Sequence, residues 1–587
     1  MGGNCLDSLE NWKVQIKSEA HRMRKYTNIK IPMRDGKYLS TIIFLPAGSG
    51  PFPVILERTC YVISLGCSRA NLIRLEAKYW NEQGYAYVIQ DVRGRGDSQG
   101  EFMPYVHDAA DGADTINWIA AQDWCDGKIG TYGQSYSAYT ALAPLKESVP
   151  ALKAVFNSGI PGIWGKHRYG YICNGILNSW HIRWRYQVAG RQAQSSSVYS
   201  DDLEDDTRID WNKIKMHLPV RGICREVGQN MDEWLKLTCI EEAEQLFKQL
   251  RFDDIYETAA VPMMHVTGWL DLFEPTISNY VRFSSRSGNQ NKQFLMVGPW
   301  THFVLRNPTE QVINGVNFGD DIVVDMYEVK RRFFDSYVKG GGDFSEFQPT
   351  TKIYNVAERE WHENIDVAAW YREPKNSKVY FFTGGEASPP QEDGLLSLKK
   401  PEKEQHDEFI YDPNAPIFSP LEDQEADCSL YLNWMQKRDD VLTYSTDTLD
   451  TDVPVSGKPR LQLFLGSDCP DTDFIIIISD VFPDGAAMNL NNMHAFRMRY
   501  RNSLIEPHYL KEGDVYKLDF YLDAMYYTFF RGHKIRIQIQ SSYLDFFFRS
   551  LNTGKDDYGT TEIRTAHNRL YHGAGQASKL IIPGAAK

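Results

Sequence analysis

Gly133-Gln134-Ser135-Tyr136-Ser137 stands between a short strand-like run, Lys128-Ile129-Gly130-Thr131-Tyr132, and a small-residue run, Ala138-Tyr139-Thr140-Ala141-Leu142-Ala143, that reads as a helix. A serine on such a strand–turn–helix elbow is held in a strained conformation. Its hydroxyl stands clear at the carboxyl end of a sheet, with a helix N-terminus beneath it. Small residues two before and two after the serine keep the turn from colliding with its neighbours. Gly133 meets this need, and Ser137 stands where glycine is usual. Taking Ser137 as the nucleophile would put Tyr139 at a small position, so Ser135 is the better candidate. Alone the pentapeptide is a weak signal, because a serine capping a helix after a strand looks the same.

A nucleophile on an elbow needs an acid and then a histidine further along the chain. Pro262-Met263-Met264-His265-Val266-Thr267-Gly268-Trp269 is an apolar strand-like run ending in Leu270-Asp271. Gln293-Phe294-Leu295-Met296-Val297-Gly298 is another, ending in Pro299-Trp300-Thr301-His302. Imidazole titrates where it can take a serine proton near neutrality, and a carboxylate fixes its tautomer. Ser135, Asp271 and His302 are therefore the candidate catalytic set. His265 is the rival base; it precedes the acid and lies inside a strand, which suits packing better.

On these residues the chain resembles the cocaine-esterase and X-prolyl dipeptidyl-peptidase type (CocE/NonD) of serine hydrolases. The resemblance runs from Met33-Arg34-Asp35-Gly36 through Glu57-Arg58-Thr59-Cys60-Tyr61 and Asp91-Val92-Arg93-Gly94-Arg95-Gly96-Asp97-Ser98-Gln99-Gly100 to the elbow. It continues in Gly268-Trp269-Leu270-Asp271 and Gly298-Pro299-Trp300-Thr301-His302. It implies an oxyanion hole made by the Tyr61 hydroxyl and the backbone N–H of Tyr136. Fixed donors of this kind contribute about 3 kcal/mol each as charge builds on the carbonyl oxygen. Cys60 replaces the proline usual before Tyr61, and a tyrosine merely plugging the sheet end is the alternative for Tyr61. Phe273 and Trp300, beside acid and base, together with Trp269 and Trp164, are the candidate substrate contacts. No cofactor and no metal are implied.

The chain of 587 residues is too long for one core, and 42% hydrophobic with 13% aromatic residues describes a folded protein. A formal charge of −13 argues against nucleic acid or an anionic membrane as partner. No apolar run near the start reads as a signal peptide, and the nine cysteines form no C-x-x-C pair. A cytoplasmic enzyme with reduced thiols is expected, and no H-E-x-x-H or clustered Cys/His spacing supports a metal site. A homodimer is plausible by resemblance only.

Strand and helix patterns alternate over 1–149 and 251–342, which predicts an α/β fold: an α/β-hydrolase catalytic domain in two parts. A helix is expected over Asp321–Lys339, with Gly340-Gly341-Gly342 as linker. Residues 150–250 read as an inserted helical cap. Its tryptophans, Trp164, Trp180, Trp184, Trp211 and Trp234, either wall a pocket or glue cap helices together. Residues 343–587 turn to short alternating strands, with Lys534–Gln540 placing isoleucines on one face, and read as a jelly-roll β-sandwich. Residues 383–408 read as a polar surface excursion. Gly94 to Gly100 lacks dinucleotide-fingerprint spacing, and Asp468 to Asp473 lacks an EF-hand's glycine and glutamate.

The expected chemistry is cleavage of a small-molecule ester or amide through an acyl-enzyme. Interception of that acyl-enzyme by an alcohol or amine, and a non-catalytic binding protein on the same scaffold, are the alternatives.

Overall fold

The computed structural model describes residues 23–61, 63, 70–162, 164–165, 171–189, 209–227, 236–271, 273–286, 288–342, 344, 350–383, 394–419 and 431–584. A ten-stranded sheet organises the first part. Its strands are β1 (Arg24–Pro32), β2 (Tyr38–Leu45), β3 (Phe52–Thr59), β4 (Ala86–Asp91), β5 (Cys125–Gln134) and β6 (Leu152–Ser158), then β7 (Met263–Leu270), β8 (Gln293–Thr301), β9 (Thr351–Asn355) and β10 (Glu360–Glu363). Their order is β1-β2-β4-β3-β5-β6-β7-β8-β9-β10. All neighbours from β4 to β9 run parallel, and antiparallel strands close both edges. The helices include α1 (Ala70–Glu82), α2 (Asp108–Ala120), α3 (Tyr136–Leu142), α4 (His181–Ala189), α5 (Ile240–Leu250), α6 (Phe273–Ser285) and α7 (Met326–Phe334).

The central strands are apolar on both faces because helices cover both. Val54 and Leu56 pack with Ile116, Ile119, Ala138 and Leu142, while Ile55 between them packs with Trp80, Phe333 and Phe334. Among the described residues no helix is long and apolar enough to cross a membrane.

The C-terminal part is an eleven-stranded sheet wrapped around its own core. In it β11 (Asp473–Val481) pairs antiparallel with β12 (Ala487–Arg497) and β13 (Lys534–Gln540). Ile535, Ile537 and Ile539 enter the sandwich core with Phe474, Ile476 and Ile478. Ile475 and Ile477, on the other face of β11, pack against Cys173 and Ile176 of the cap. That second contact explains why β11 is apolar without alternation.

Five expectations change. Leu152–Ser158 is a strand of the first sheet, so the cap begins after it rather than at 150. The same sheet runs on through β9 and β10, past the expected boundary at 342. The helix expected from Asp321 begins at Met326, because the Asp325 carboxylate accepts the N–H groups of Tyr327 and Glu328 and caps it there. Gly340-Gly341-Gly342 closes that helix: all three N–H groups point at the Asp335 carbonyl, and Gly340 has φ +79°. Finally, Gly394–Ser397 and Gln405–Tyr411 are strands of the second sheet, not a surface excursion. Residues 384–393 lie outside the described residues.

Candidate active site

β5 ends at Gln134 and α3 begins at Tyr136, leaving Ser135 between them at φ 59°, ψ −126°. A non-glycine residue there stores roughly 1–3 kcal/mol of strain. The chain pins it: the Ser135 N–H donates to the Ser158 carbonyl at 3.0 Å, and the Ser135 carbonyl accepts from Ala138 at 2.9 Å. A Cβ on Gly133 would lie 2.1 Å from the Ser137 carbonyl oxygen and 2.6 Å from its Cβ. Any side chain at 133 would collide with the backbone of Ser137, so the turn requires glycine at 133.

β7 and β8 leave the sheet at glycines pressed against one tryptophan. A Cβ at Gly268 would sit 1.9 Å from the Trp300 carbonyl oxygen, and one at Gly298 would sit 2.4 Å from its indole. Asp271 and His302 follow these turns, and His302 Nδ1 lies 2.5 Å from Asp271 Oδ1. Asp271 is buried; the Thr267 hydroxyl donates to its Oδ2 at 3.5 Å. Gly159, at φ +55°, has its backbone so close that a Cβ would be 2.5 Å from that same oxygen. Asp271 thus faces the Nδ1 side of the His302 ring, and Nε2 lies on the opposite side. The Gln134 side-chain amide donates to the His302 carbonyl, tying the end of β5 to this turn.

Tyr61 follows β3 and is half-buried, and the Trp184 indole N–H donates to its hydroxyl at 3.3 Å. Tyr136 is buried. Its phenol donates to Asp108 Oδ2 at 2.6 Å and accepts from the Tyr105 N–H at 3.1 Å. Burial pushes this phenol well above its ordinary range, and burial also raises the Asp108 carboxyl against the pull of Arg58. The Tyr136 side chain is thus fully engaged, leaving its backbone N–H at the first turn of α3. Its ring stacks on Tyr105 (4.6 Å) and Trp184 (6.1 Å). Arg95, buried, donates to the carbonyls of Cys60 (2.8 Å) and Val188 (2.7 Å), clasping the Tyr61 turn to the end of α4.

The other candidates separate. Trp300 is 0% exposed and its indole donates to the Ile322 carbonyl at 2.9 Å, so its ring fills the core, not an open pocket. Burial excludes it from the substrate contact expected of it. Trp269 is half-buried, bonded to the Tyr354 carbonyl at 2.5 Å, and lines a cavity between the two domains. The side chains of Phe273 and Trp164, and all of Trp234, lie outside the described residues. Phe303, one residue beyond His302, is 57% exposed with its ring edge-on to the imidazole at 5.9 Å. His265 is buried between Asn157 (3.3 Å) and Gln293 (3.2 Å), and burial pushes it down to about 4. It is a neutral core residue.

Beneath the site lies a buried ionic cluster that sequence reading missed. Arg306 meets Glu57 at 3.2 Å and Glu76 at 3.0 Å. The Tyr132 hydroxyl is 3.0 Å from Glu57 and 2.7 Å from Glu76. Tyr87 donates to Glu57 and Tyr327 to Glu76. Glu57 precedes Tyr61 by four residues, Tyr132 precedes Ser135 by three, and Arg306 follows His302 by four. No motif signals such a cluster, because its members come from six separate segments.

Comparison with known proteins now decides the family. The X-Pro dipeptidyl-peptidase (S15 family) model matches residues 35–304, and the model of the X-Pro dipeptidyl-peptidase C-terminal non-catalytic domain matches 368–581. The chain belongs to this serine hydrolase family. A cocaine esterase of Rhodococcus sp. (strain MB1 Bresler) is 29% identical, over 95% of this chain and 98% of its own. An α-amino acid ester hydrolase has the same fold, with TM-score 0.79 at 23% identity over 96% of this chain and 97% of its own. An aminopeptidase of a marine-sediment Thaumarchaeota archaeon aligns with TM-score 0.76 at 23% identity, over 96% of each chain. The chain is a serine hydrolase with an α/β-hydrolase domain and a strand-rich C-terminal domain.

Proposed function

We propose that this enzyme hydrolyses a small-molecule carboxylic ester through an acyl-enzyme on Ser135. The observation that carries the reading is the strained Ser135, at φ 59° on the elbow, on a sheet edge shared with the His302–Asp271 pair. His302 Nε2 takes the Ser135 proton as Oγ attacks the acyl carbon. Asp271 holds the imidazole tautomer and stabilises the imidazolium. The Tyr61 hydroxyl and the Tyr136 N–H receive the oxyanion. The Trp184 indole N–H donates to the Tyr61 oxygen at 3.3 Å and so helps to orient that hydroxyl. His302 then protonates the leaving group, and water releases the acyl group by the reverse sequence.

The aromatic surroundings, Tyr61, Trp184 and the exposed Phe303, favour an acyl or alcohol group that is aromatic or bulky and apolar. The likeness to a cocaine esterase supports an ester over a peptide. The test is a fluorophosphonate probe with the adduct mapped by mass spectrometry, beside turnover of 4-nitrophenyl acetate. One adduct on Ser135 with ester turnover is expected; an unlabelled, folded protein overturns the reading. Adding an alcohol and measuring product ratios separates hydrolysis from acyl transfer.

A further inference from the structure

We propose that the C-terminal sandwich is part of the reacting assembly. Asn491, on a bulge of β12, is a positioning residue that holds the Trp269–Asp271 turn so that the Asp271 carboxylate stays aimed at His302. The inference rests on the roles given to Ser135, His302 and Asp271 above.

The bulge is visible in the strand register. Ile477 pairs with Met493 and Ser479 with Asn489, so residues 490–492 of β12 stand opposite Ile478 alone. Asn491 sits in that bulge at φ +56°, a left-handed conformation that asparagine tolerates better than other side chains bearing a Cβ. The conformation sends its amide across the domain boundary. Nδ2 donates to the Trp269 carbonyl at 2.7 Å and reaches the Asp271 carbonyl at 3.5 Å. These carbonyls belong to the segment where β7 loses register with β8, between Gly268 and Leu270. An amide NH₂ has two donors, and here both face the same short turn.

The bulge is braced from both sides. The Asn491 N–H donates to Asn489 Oδ1 at 3.0 Å. Asn492 Nδ2 donates to the Asp523 carbonyl at 2.9 Å, and the Asp523 N–H returns to Asn492 Oδ1 at 3.1 Å. All three asparagines are buried. Simple domain docking would be served by apolar side chains, whereas buried amides are retained where their hydrogen bonds fix a geometry. The geometry fixed here is that of the acid. Thr267 and Gly159 hold the carboxylate from within the first domain, and Asn491 holds the backbone behind it from the second.

Two variants of the full chain test this. Asn491→Gly keeps the left-handed backbone free of strain and removes the amide; Asn491→Asp keeps the shape and turns a donor into an acceptor facing two carbonyls. With 4-nitrophenyl acetate, kcat should fall about tenfold or more in Asn491→Gly and further in Asn491→Asp, with KM within about twofold of wild type. Fluorophosphonate labelling of Ser135 should slow by a similar factor yet still run to completion. An incomplete end-point with an unchanged rate for the labelled fraction would mean lost folded protein, and would overturn the positioning role. So would an Asn491→Gly enzyme that matches wild type in kcat and labelling rate. A wild-type enzyme that never labels at Ser135 would instead bring down the functional reading beneath, and this proposal with it.

Discussion

Two of the buried clusters of opposed charges among the described residues serve different joints. Under the site, Arg306 and Lys330 face Glu57 and Glu76. In the sandwich, Arg497 meets Asp473 and Asp557 at 3.0 Å each, and Arg499 meets Asp557 at 2.6 Å and Asp471 at 3.3 Å. The first cluster joins the segments of Tyr61, Ser135 and His302. The second joins sandwich to cap: the Arg497 N–H donates to the Asn174 carbonyl, and Tyr558, 3.3 Å from Arg497, accepts from the Leu177 N–H. Burying paired charge contributes little net stability, since desolvation offsets the attraction, but removing one partner is severe. Each cluster therefore fixes a geometry, one within the reacting segments and one between domains.

The largest effect should come from neither cluster. Ser135→Ala should lower kcat by roughly 10⁴–10⁶-fold. Ser135→Gly should be equally inactive yet more stable by about 1 kcal/mol or more, because glycine adopts φ 59° freely. A thermal melt that fails to rise would remove the claim that strain is stored at the elbow. Next come Arg306→Met and Arg497→Met, each expected to cost about 3–5 kcal/mol by orphaning buried carboxylates. They should part in turnover per fluorophosphonate-titrated site. Arg306→Met should lose about tenfold or more, whereas Arg497→Met should keep wild-type kcat in its folded fraction. Equal turnover per site in the two variants would erase the distinction between the clusters.

What the sequence made legible was whatever is local. The elbow, the two strand ends bearing Asp271 and His302, and the isoleucine alternation of β13 are each written within about ten residues. Trp300 misled because its position beside His302 is a sequence fact, while its burial arises from Gly268 and Gly298 closing on its ring and carbonyl. Arg95, Arg306 and Asn491 were missed for the converse reason: their partners lie far away in the chain, and no spacing rule connects them. The boundary at 342 failed because a glycine triplet reads as a linker until its N–H groups are seen capping a helix.

The clusters should also differ in pH response. Burial, against the attraction of Arg499, pushes the Asp471 carboxyl up to about 7 from its ordinary 3.8. The folded chain then holds a proton the unfolded chain gives up. This group's contribution is fully present below pH 3.8 and is lost as pH rises through about 7. Under the site the sign reverses. Burial pushes Lys330 down to about 8 from 10.5, so its contribution is present above pH 10.5 and is lost as pH falls through about 8. Guanidinium midpoints measured against pH should show Asp471→Asn flattening the slope between pH 4 and 7 and leaving the alkaline limb alone. An unchanged acid slope would show that Asp471 is not the group that titrates there.

The smallest expected effect probes the join between cap and first domain. Trp184 gives its indole N–H to the Tyr61 hydroxyl at 3.3 Å and its ring face to Tyr136. Trp184→Phe keeps a ring against Tyr136 and removes only the donor. A hydrogen bond of this length between neutral groups is worth about 1 kcal/mol, so kcat should fall roughly fivefold with little change in melting temperature. The deficit should also shrink when Tyr61→Phe is already present, because the indole then has no hydroxyl to orient. A double-mutant cycle on kcat reads that coupling directly. Additive losses would mean that Trp184 acts on the substrate by packing alone, and the cap would then shape the pocket without tuning the oxyanion donor.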